Sequence, residues 1–104
     1  MLNAQIGFHS YYVYIITNEH RISFYIGVTN NLKQRLAKHK ENIDVNVNTF
    51  ASKYNIQFLV YYEKFTWIKE AIAREKELKK WRRDKKLELI RNFNSNFDFL
   101  DSYF

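Results

Sequence analysis

Residues 11–29, YYVYIITNEHRISFYIGVT, decide the fold. The segments Tyr11–Thr17 and Phe24–Thr29 are rich in β-branched and aromatic residues, which are typical of strands. The polar residues of Asn18–Arg21 favour a turn between the two segments. The stretch therefore predicts an antiparallel hairpin that forms the first two strands of a small sheet.

Gly27 interrupts the second of these strands, in a chain that has only two glycines and no proline. A glycine inside a strong strand pattern indicates a bulge, or a place where another group approaches the backbone closely. Side chains alternate along a strand, so Tyr12, Tyr14 and Ile16 share one face of the first strand. In the same way Tyr25, Gly27 and Thr29 share one face of the second strand. If the two faces coincide across the hairpin, two phenols and a bare glycine share one surface.

Helical and strand patterns alternate over the rest of the chain. They predict a helix over Asn31–Lys40 capped by Thr29 or Asn30, a loop over Asn42–Asn48, a short helix over Thr49–Tyr54 closed by Asn55, a strand over Gln57–Phe65, a helix over Trp67–Lys80 capped by Thr66, and a helix from the cap Asp84 to about Asn92. The order β-β-α-α-β-α-α predicts an α+β fold, in which a three-stranded, mainly antiparallel sheet is flanked by helices. We expect one domain over residues 1–104, which ends in a helix and an aromatic tail over residues 84–104. This tail either docks on the domain or presents an aromatic surface to a partner.

The composition excludes several classes of function. The chain has no cysteine, which excludes a disulfide framework, zinc–thiolate sites and thiol catalysis, and its three histidines are too scattered for an ordinary histidine metal site. It has no apolar run of about 18 residues, so we expect no membrane span and a cytoplasmic location. The net charge of +6 indicates an anionic partner such as nucleic acid.

Two of the predicted helices carry charged residues on their apolar faces. Arg35 and His39 share a face with Leu32 and Leu36, and burial of such a charge is costly unless an anion pairs with it. A substrate phosphate is one such anion.

Glu75 lies in the middle of the apolar stripe of the later helix, which comprises Ile68, Ala71, Ile72 and Leu78. An acid in that position must pair with a cation, accept hydrogen bonds or bind a metal. A simpler interpretation remains open, in which Arg35 and Glu75 form a buried salt bridge and both tyrosines pack in the core. On that interpretation His39 is a residue at the end of its helix.

A dense block of basic residues surrounds Trp81. The candidate contacts to nucleic acid are Lys79, Lys80, Arg82, Arg83, Lys85 and Lys86 in this block, with Lys33 and Lys38 of the first helix. Such residues neutralise backbone phosphates and carry little sequence information. We expect Trp81 to pack rather than to stack on a base, and we also assign Tyr11, Tyr61 and Tyr62 to packing.

Together these residues resemble the GIY-YIG nuclease superfamily. Tyr12-Val13-Tyr14 stands where the first triplet of the family lies, and Tyr25-Ile26-Gly27 is a literal YIG. Arg35 follows Gly27 by eight residues, where the family has its arginine. Glu75 lies in EAIAREKELKKW, which is similar to the helix that carries the family's glutamate. The resemblance runs from about Tyr11 to Arg83. It is closest to the single-domain branch, which is similar to the nuclease module of the bacterial excision-repair endonuclease, and so implies DNA repair.

The resemblance implies a metal-dependent endonuclease that cuts nucleic acid, DNA ahead of RNA, with structure-directed or weak sequence specificity. By this resemblance Tyr14 would orient or deprotonate the attacking water, Arg35 would hold the scissile phosphate, and Glu75 would bind one Mg²⁺ or Mn²⁺. Tyr25 would join the same hydrogen-bond network, His39 would take part in proton transfer, and Gly27 would let the phosphate approach.

The sequence also departs from the family, and two other functions stay open. The first triplet lacks its glycine, Val28 replaces a lysine of the excision-repair module, and Leu87 lies near where some members have an asparagine. One alternative is a binding module that retains the fold without catalysis. The other is an interaction protein that engages a partner through the aromatic tail, with Phe97, Phe99, Tyr103 and Phe104.

Overall fold

The computed structural model of the chain describes residues 10–44 and 53–104. Its elements are β1 Tyr11–Thr17, β2 Phe24–Thr29, α1 Leu32–Asp44, β3 Phe58–Phe65, α2 Ile68–Lys80, α3 Arg83–Phe93 and a 3₁₀-helix over Asp101–Tyr103. The α+β class is confirmed, and each strand begins and ends within one residue of its prediction. The loop predicted over Asn42–Asn48 begins too early, because residues 42–44 belong to α1. The rest of that loop and most of the short helix predicted over Thr49–Tyr54 lie outside the described residues.

The three strands form one antiparallel sheet in the order β2-β1-β3. Across the hairpin Tyr14 is paired with Gly27, so the two tyrosine-bearing faces coincide. Between β1 and β3 the register shifts after Ile15, where Val60 is inserted as a β-bulge.

Each face of the sheet packs against a different set of helices. On one face Val13 and Ile15 of β1 pack with Ala71 of α2 and Ile90 of α3. The opposite face carries the tyrosines, and there Tyr14 packs with Leu32 and Leu36 of α1. The sheet therefore separates α1 from α2 and α3, and β2 and β3 are its two edges.

The helix starts differ from their predictions. Asn31 caps α1, because its side-chain Oδ1 accepts the backbone N–H of Gln34 at 3.0 Å, whereas Thr29 accepts the N–H of Asn31 at 3.1 Å. Helices α2 and α3 follow Trp67 and Arg82 at the cap positions, and neither cap makes a side-chain hydrogen bond. The predicted caps Thr29, Asn30, Thr66 and Asp84 are therefore wrong, although Asp84 lies in the first turn of α3, where the helix dipole favours an acid.

The end of α1 was also predicted too early. The helix continues past Lys40 to Asp44, because the sequence there contains neither the glycine nor the proline that usually stops a helix. His39 is consequently an interior residue of α1 and not a residue at its end. No helix in the described part of the chain is long and apolar enough to cross a membrane.

The segment after α3 docks along the β3 edge of the sheet. Leu100 donates its N–H to the Leu59 carbonyl at 2.7 Å, and Leu59 donates its N–H to Oδ1 of Asp101 at 2.9 Å. The Asn94 amide donates to the carbonyls of Val60 at 3.1 Å and Asp98 at 2.8 Å. These bonds satisfy backbone groups that an uncovered edge strand would leave open.

The aromatic side chains of this tail pack on the protein itself. Phe97 is buried, the ring of Phe99 stacks on Phe58 with centroids 4.3 Å apart, and Phe104 contacts Tyr12 and Tyr62 edge to face. Only Tyr103 of the four predicted partner-binding aromatics is exposed, at 77%. Of the two expectations for the tail, docking is the one that the structure bears out.

Candidate active site

Tyr14 is a fully buried side chain on the central strand, and its ring lies across Gly27. A Cβ at position 27 would come within 2.5 Å of the phenol oxygen and 2.6 Å of Cζ. The predicted close approach to this glycine is therefore present. The group that approaches is the Tyr14 phenol, where the family resemblance had suggested the substrate phosphate.

The Tyr14 hydroxyl forms a buried hydrogen bond with Nε2 of His39 at 2.9 Å. His39 follows Leu36 by one turn on the inner face of α1, and only 8% of its surface is exposed. The sequence predicts both residues for the site but not this bond, because the partners are 25 residues apart.

Burial keeps both members of this pair neutral. Burial raises the pKa of the Tyr14 phenol well above its ordinary value, and Tyr25 and Glu75 raise it further, whereas the charge and hydrogen bonding of Arg35 lower it. Burial, followed by the charge of Arg35, lowers the pKa of His39 to about 4. At neutral pH an uncharged phenol and an uncharged imidazole are therefore joined by one hydrogen bond.

Tyr25 completes a cluster of three rings. It is half-buried, and its ring centroid lies 5.4 Å from that of His39 and 6.3 Å from that of Tyr14. Its neighbours Thr29 and Gly27 occupy the same face of β2. Tyr25 thus stands between the buried Tyr14–His39 pair and solvent.

Arg35 is exposed, whereas the sequence predicted that it faces inward. It lies on the flank of the seam formed by Leu32, Leu36 and His39, so its guanidinium can reach solvent. Within residues 10–44 and 53–104 it forms no salt bridge, yet its charge acts on both Tyr14 and His39. It also lines a groove of about 460 Å³ along α1, with Asn30, Asn31, Gln34, Lys38 and Asn42 among its neighbours. Arg35 is therefore available to an anion.

Glu75 projects from α2 and is half-buried, with 19% of its side chain exposed. Its Oε2 lies 3.3 Å from Nζ of Lys79 on the next turn, so the alternative of a buried Arg35–Glu75 salt bridge is wrong. The predicted stripe around it was also partly wrong, because Ala71 and Leu78 are buried but Ile68 and Ile72 are exposed.

Arg74 and Glu75 lie on opposite sides of the buried residues of α2, Ala71 and Leu78, because each residue turns the helix by about 100°. Arg74 reaches Glu63 of β3 with a charge-assisted hydrogen bond of 2.9 Å. Glu75 therefore lies toward the other edge strand, β2, and close enough to raise the pKa of Tyr14. The candidate site is at this edge of the sheet, between α1 and α2.

Glu75 is the one predicted metal ligand, and the described residues contain no group of three or more His, Cys, Asp or Glu side chains that could hold an ion. A single carboxylate fits Mg²⁺, which keeps several waters and uses substrate phosphates as further ligands. Glu75 suits this role because its only ion-pair partner in the described part of the chain is the half-exposed Lys79, which can move away.

The predicted nucleic-acid contacts are divided between free and engaged side chains. Lys38 pairs with Glu41, Lys79 with Glu75, and Arg82 with Asp84. Arg83 lies over the ring of Phe24 and Lys85 over that of Trp81, at 5.1 Å and 4.1 Å from the centroids. Lys33 and Lys80 are exposed, and Lys86 is half-buried. Part of the basic block thus contributes to packing, as does Trp81, which is half-buried against the core.

The chain is similar to one family model and to two known proteins. A sequence model of the GIY-YIG catalytic domain matches residues 10–88. A protein of Pediococcus acidilactici described as "UPF0213 protein in ldhD 5'region" is 31% identical over 89 residues, which are 86% of each chain. The solution NMR structure of the UPF0213 protein BH0048 from Bacillus halodurans is 28% identical, with a TM-score of 0.47 over 78% of this chain and 82% of that one.

Proposed function

The chain belongs to the GIY-YIG family of nucleases, which act on nucleic acid, and from this premise we propose that it is a divalent-metal-dependent endonuclease that hydrolyses phosphodiester bonds, in DNA ahead of RNA. The observation that carries the proposal is the position of Arg35. Its guanidinium has no ion-pair partner among the described residues, and it acts on the same two groups, Tyr14 and His39, that form the buried hydrogen bond.

In this proposal Arg35 binds the scissile phosphate. A guanidinium holds phosphate oxygens through two parallel N–H bonds and stabilises the charge that develops on them. The charge of Arg35 acts on the Tyr14 phenol in the free protein. Movement of the Arg35 side chain onto a phosphate would let a water molecule reach the phenol oxygen.

Tyr14 and His39 then move one proton. The phenol donates its proton to Nε2 of His39 while its oxygen accepts a proton from the attacking water, whose oxygen bonds to phosphorus as the leaving oxygen departs. Arg35 is one cause of the low pKa of His39. A phosphate bound to Arg35 offsets that charge, so the substrate itself makes His39 a better proton acceptor. Tyr25 hydrogen-bonds to the water or to the phosphate from the solvent side.

Glu75 would hold one Mg²⁺ or Mn²⁺ with waters and phosphate oxygens as the other ligands. When bound, this ion stabilises negative charge on the phosphate and on the leaving group. Lys79 would exchange its contact with Glu75 for a contact with a neighbouring phosphate, because its exposed ammonium can turn about its flexible stem.

One observation favours a second candidate, a binding module without catalysis. Tyr14 is fully buried and its pKa is raised, and Val28, which stands where the resemblance has a lysine, packs on the opposite face of the sheet. No cation other than Arg35 lowers the pKa of the phenol among its described neighbours. A protein in which this phenol stays buried and protonated would bind nucleic acid without cutting it.

The test is metal-dependent cleavage of supercoiled plasmid, branched DNA and structured RNA, with Mg²⁺, Mn²⁺ or chelator. Glu75→Ala, Arg35→Ala and Tyr14→Phe are each expected to abolish cleavage while they remain folded. Glu70→Ala is the matched control, because Glu70 is an exposed acid on the opposite flank of the same helix. Equal cleavage by all variants would reveal a contaminant, and salt-sensitive binding without cleavage would favour the binding module.

A further inference from the structure

A cavity of about 330 Å³ lies between α1, the first residues of β1 and the end of the C-terminal segment. Three separated parts of the chain form its walls, and they contribute Ser10 and Tyr12, Asn30, Asn31 and Lys33, and Phe104. We call this space the Lys33 cavity. Its volume is within the range of about 300–1,000 Å³ that is usual for small-molecule sites, so it has room for a ligand the size of one nucleotide.

Lys33 is the cation that lines this cavity. It is exposed, and in the described part of the chain it has no ion-pair partner. No acid lines the cavity among residues 10–44 and 53–104. A second cavity along the same flank of α1 leads from Lys33 to Lys40, but Nζ of Lys40 already lies 3.6 Å from Oδ2 of Asp101. An anion that enters the Lys33 cavity therefore meets an uncompensated ammonium group.

Two aromatic rings meet at the wall of the Lys33 cavity. Tyr12 and Phe104 are half-buried, and their rings lie at 81° to each other with centroids 6.5 Å apart. A flat ligand can stack on one of these rings while its edge contacts the other. Tyr12 stands where the first triplet of the family has its glycine, so this aromatic wall belongs to this chain and is not implied by the family motif.

The Lys33 cavity is continuous with the groove that Arg35 lines. Asn30 and Asn31, two exposed residues between β2 and α1, border both spaces. Lys33 and Arg35 lie on opposite flanks of α1, because two residues turn a helix by about 200°. A strand whose phosphate is held by Arg35 can therefore pass over the two asparagines and bring a neighbouring nucleotide to Lys33.

We propose that the Lys33 cavity binds one unpaired nucleotide next to the scissile phosphate, with the phosphate of that nucleotide on Lys33 and its base against Tyr12 and Phe104. This inference rests on the proposed nuclease function, and it names the substrate class as nucleic acid with an unpaired nucleotide beside the cut. A base inside a duplex is stacked on both faces and has its partner beside it, so it does not fit a cavity of this size. An unpaired nucleotide supplies both the negative charge and a free ring face.

Binding of a single nucleotide can be measured without metal and without cleavage. Protein labelled with ¹⁵N is titrated in chelator with deoxyadenosine monophosphate, and parallel titrations use inorganic phosphate and deoxyadenosine. We expect the monophosphate to shift the amide signals of Tyr12, Lys33 and Phe104, and to bind more tightly than either fragment. Lys33→Ala should weaken its binding by about 3- to 10-fold. Lys76→Ala is the matched control and should bind like wild type, because Lys76 is an exposed lysine of α2, on the other side of the sheet.

The substrate class is tested with a labelled duplex that carries a short single-stranded extension, and with the blunt duplex of the same sequence. At low salt and in chelator we expect the extended duplex to bind more tightly by about 5-fold or more. Tyr12→Leu keeps an apolar side chain on β1 but removes the aromatic face, so it should abolish most of this preference while binding of the blunt duplex is retained. Anisotropy of the label measures both affinities.

Four results would overturn the inference. They are amide shifts confined to the Arg35 side of α1, equal affinity for inorganic phosphate and the nucleotide, equal affinity of the Lys33→Ala and wild-type proteins, and equal binding of the extended and blunt duplexes. If wild-type protein cleaves with metal in any of these cases, the nuclease proposal stands without the Lys33 cavity. If the nucleotide binds there but no substrate is cleaved with metal, the cavity stands as a nucleotide site and the nuclease proposal fails.

Discussion

The hydroxyl of Tyr14 lies 2.9 Å from Nε2 of His39, in a contact that joins the central strand of the sheet to the inner face of α1. Both side chains are buried, and the pKa of each is shifted in the direction that keeps it uncharged. The contact therefore links the packing of α1 to the protonation of its histidine. Stability and proton transfer can both be measured through this one pair.

The first prediction is that His39 makes the protein sensitive to mild acid. Burial lowers its pKa from 6.5 to about 4 in the folded state, so the unfolded chain binds a proton that the folded chain does not. The free energy of unfolding is therefore unaffected by His39 protonation above pH 6.5. It falls as the pH drops from 6.5 toward 4, by up to roughly 3 kcal/mol. Urea unfolding at pH 7.5 and pH 4.5 should show this loss in wild type and a smaller loss in His39→Gln. The exposed His20 provides the control, since His20→Gln should keep the wild-type slope.

The second prediction concerns coupling in catalysis. If Tyr14 and His39 pass the same proton, Tyr14→Phe and His39→Gln should each lower kcat by about 100-fold or more. The double variant should then lose little beyond the worse single variant, because either change already breaks the relay. Single-turnover kinetics with saturating substrate measures the three rates. Losses that multiply would mean that the two residues act independently.

The third prediction is that Gly27→Ala disturbs Tyr14. The added methyl would lie 2.5 Å from the phenol oxygen and 2.6 Å from Cζ, so the ring must move or the strands must separate. Overpacking of this kind costs about 1–3 kcal/mol, and displacement of the phenol should also reduce activity. Chemical denaturation of Gly27→Ala checks the first effect. In a Tyr14→Ala background the methyl has space, so the same substitution should then cost much less; an equal cost in both backgrounds would contradict this explanation.

The fourth prediction is that Asn94 holds the C-terminal segment on β3. Its buried amide donates to two carbonyls and its Oδ1 accepts the N–H of Asp98 at 3.0 Å. Asn94→Ala leaves these buried groups without partners, which should lower the free energy of unfolding by about 1–3 kcal/mol. Thermal unfolding followed by circular dichroism measures the change. Asn92→Ala, on the exposed side of the same helix, should change stability little, and a similar loss in both variants would argue against a specific role for Asn94.

Local patterns predicted the strands but not the details of the helix ends. Alternation and β-branched residues define Tyr11–Thr17 and Phe24–Thr29, and both strands lie where expected. A cap depends on the backbone angles at one residue, so Thr66 looked suitable although Trp67 occupies the position. Periodicity also missed the exposure of Ile68 and Ile72, because an apolar residue on a helix does not reveal whether another element covers it.

The members of the candidate site can be proposed from the sequence, whereas their contacts with one another cannot. The triplets, Arg35 and Glu75 are readable from their spacing, and so is the coincidence of the two tyrosine faces. The sequence alone does not reveal that the Tyr14 ring fills the space above Gly27, nor that Glu75 pairs with Lys79 instead of Arg35. The orientation of the Tyr14 ring depends on how α1 packs on that face of the sheet, and the separation of Glu75 from Arg35 depends on the sheet that lies between α2 and α1. The Glu75–Lys79 pair itself is local, because residues four apart on a helix are neighbours.

The docking of the C-terminal segment on β3 has a consequence for solubility. A three-stranded sheet has two edges at which another chain could add a strand, and here Leu100 and Asp101 already occupy the hydrogen-bonding groups of Leu59 at one of them. Among the described strands this leaves β2 as the edge open to intermolecular pairing, and β2 borders the candidate site. A polyanion seated there would therefore act as a shield against aggregation. Protein freed of nucleic acid should self-associate more readily, and more so as added salt screens the repulsion between its +6 charges.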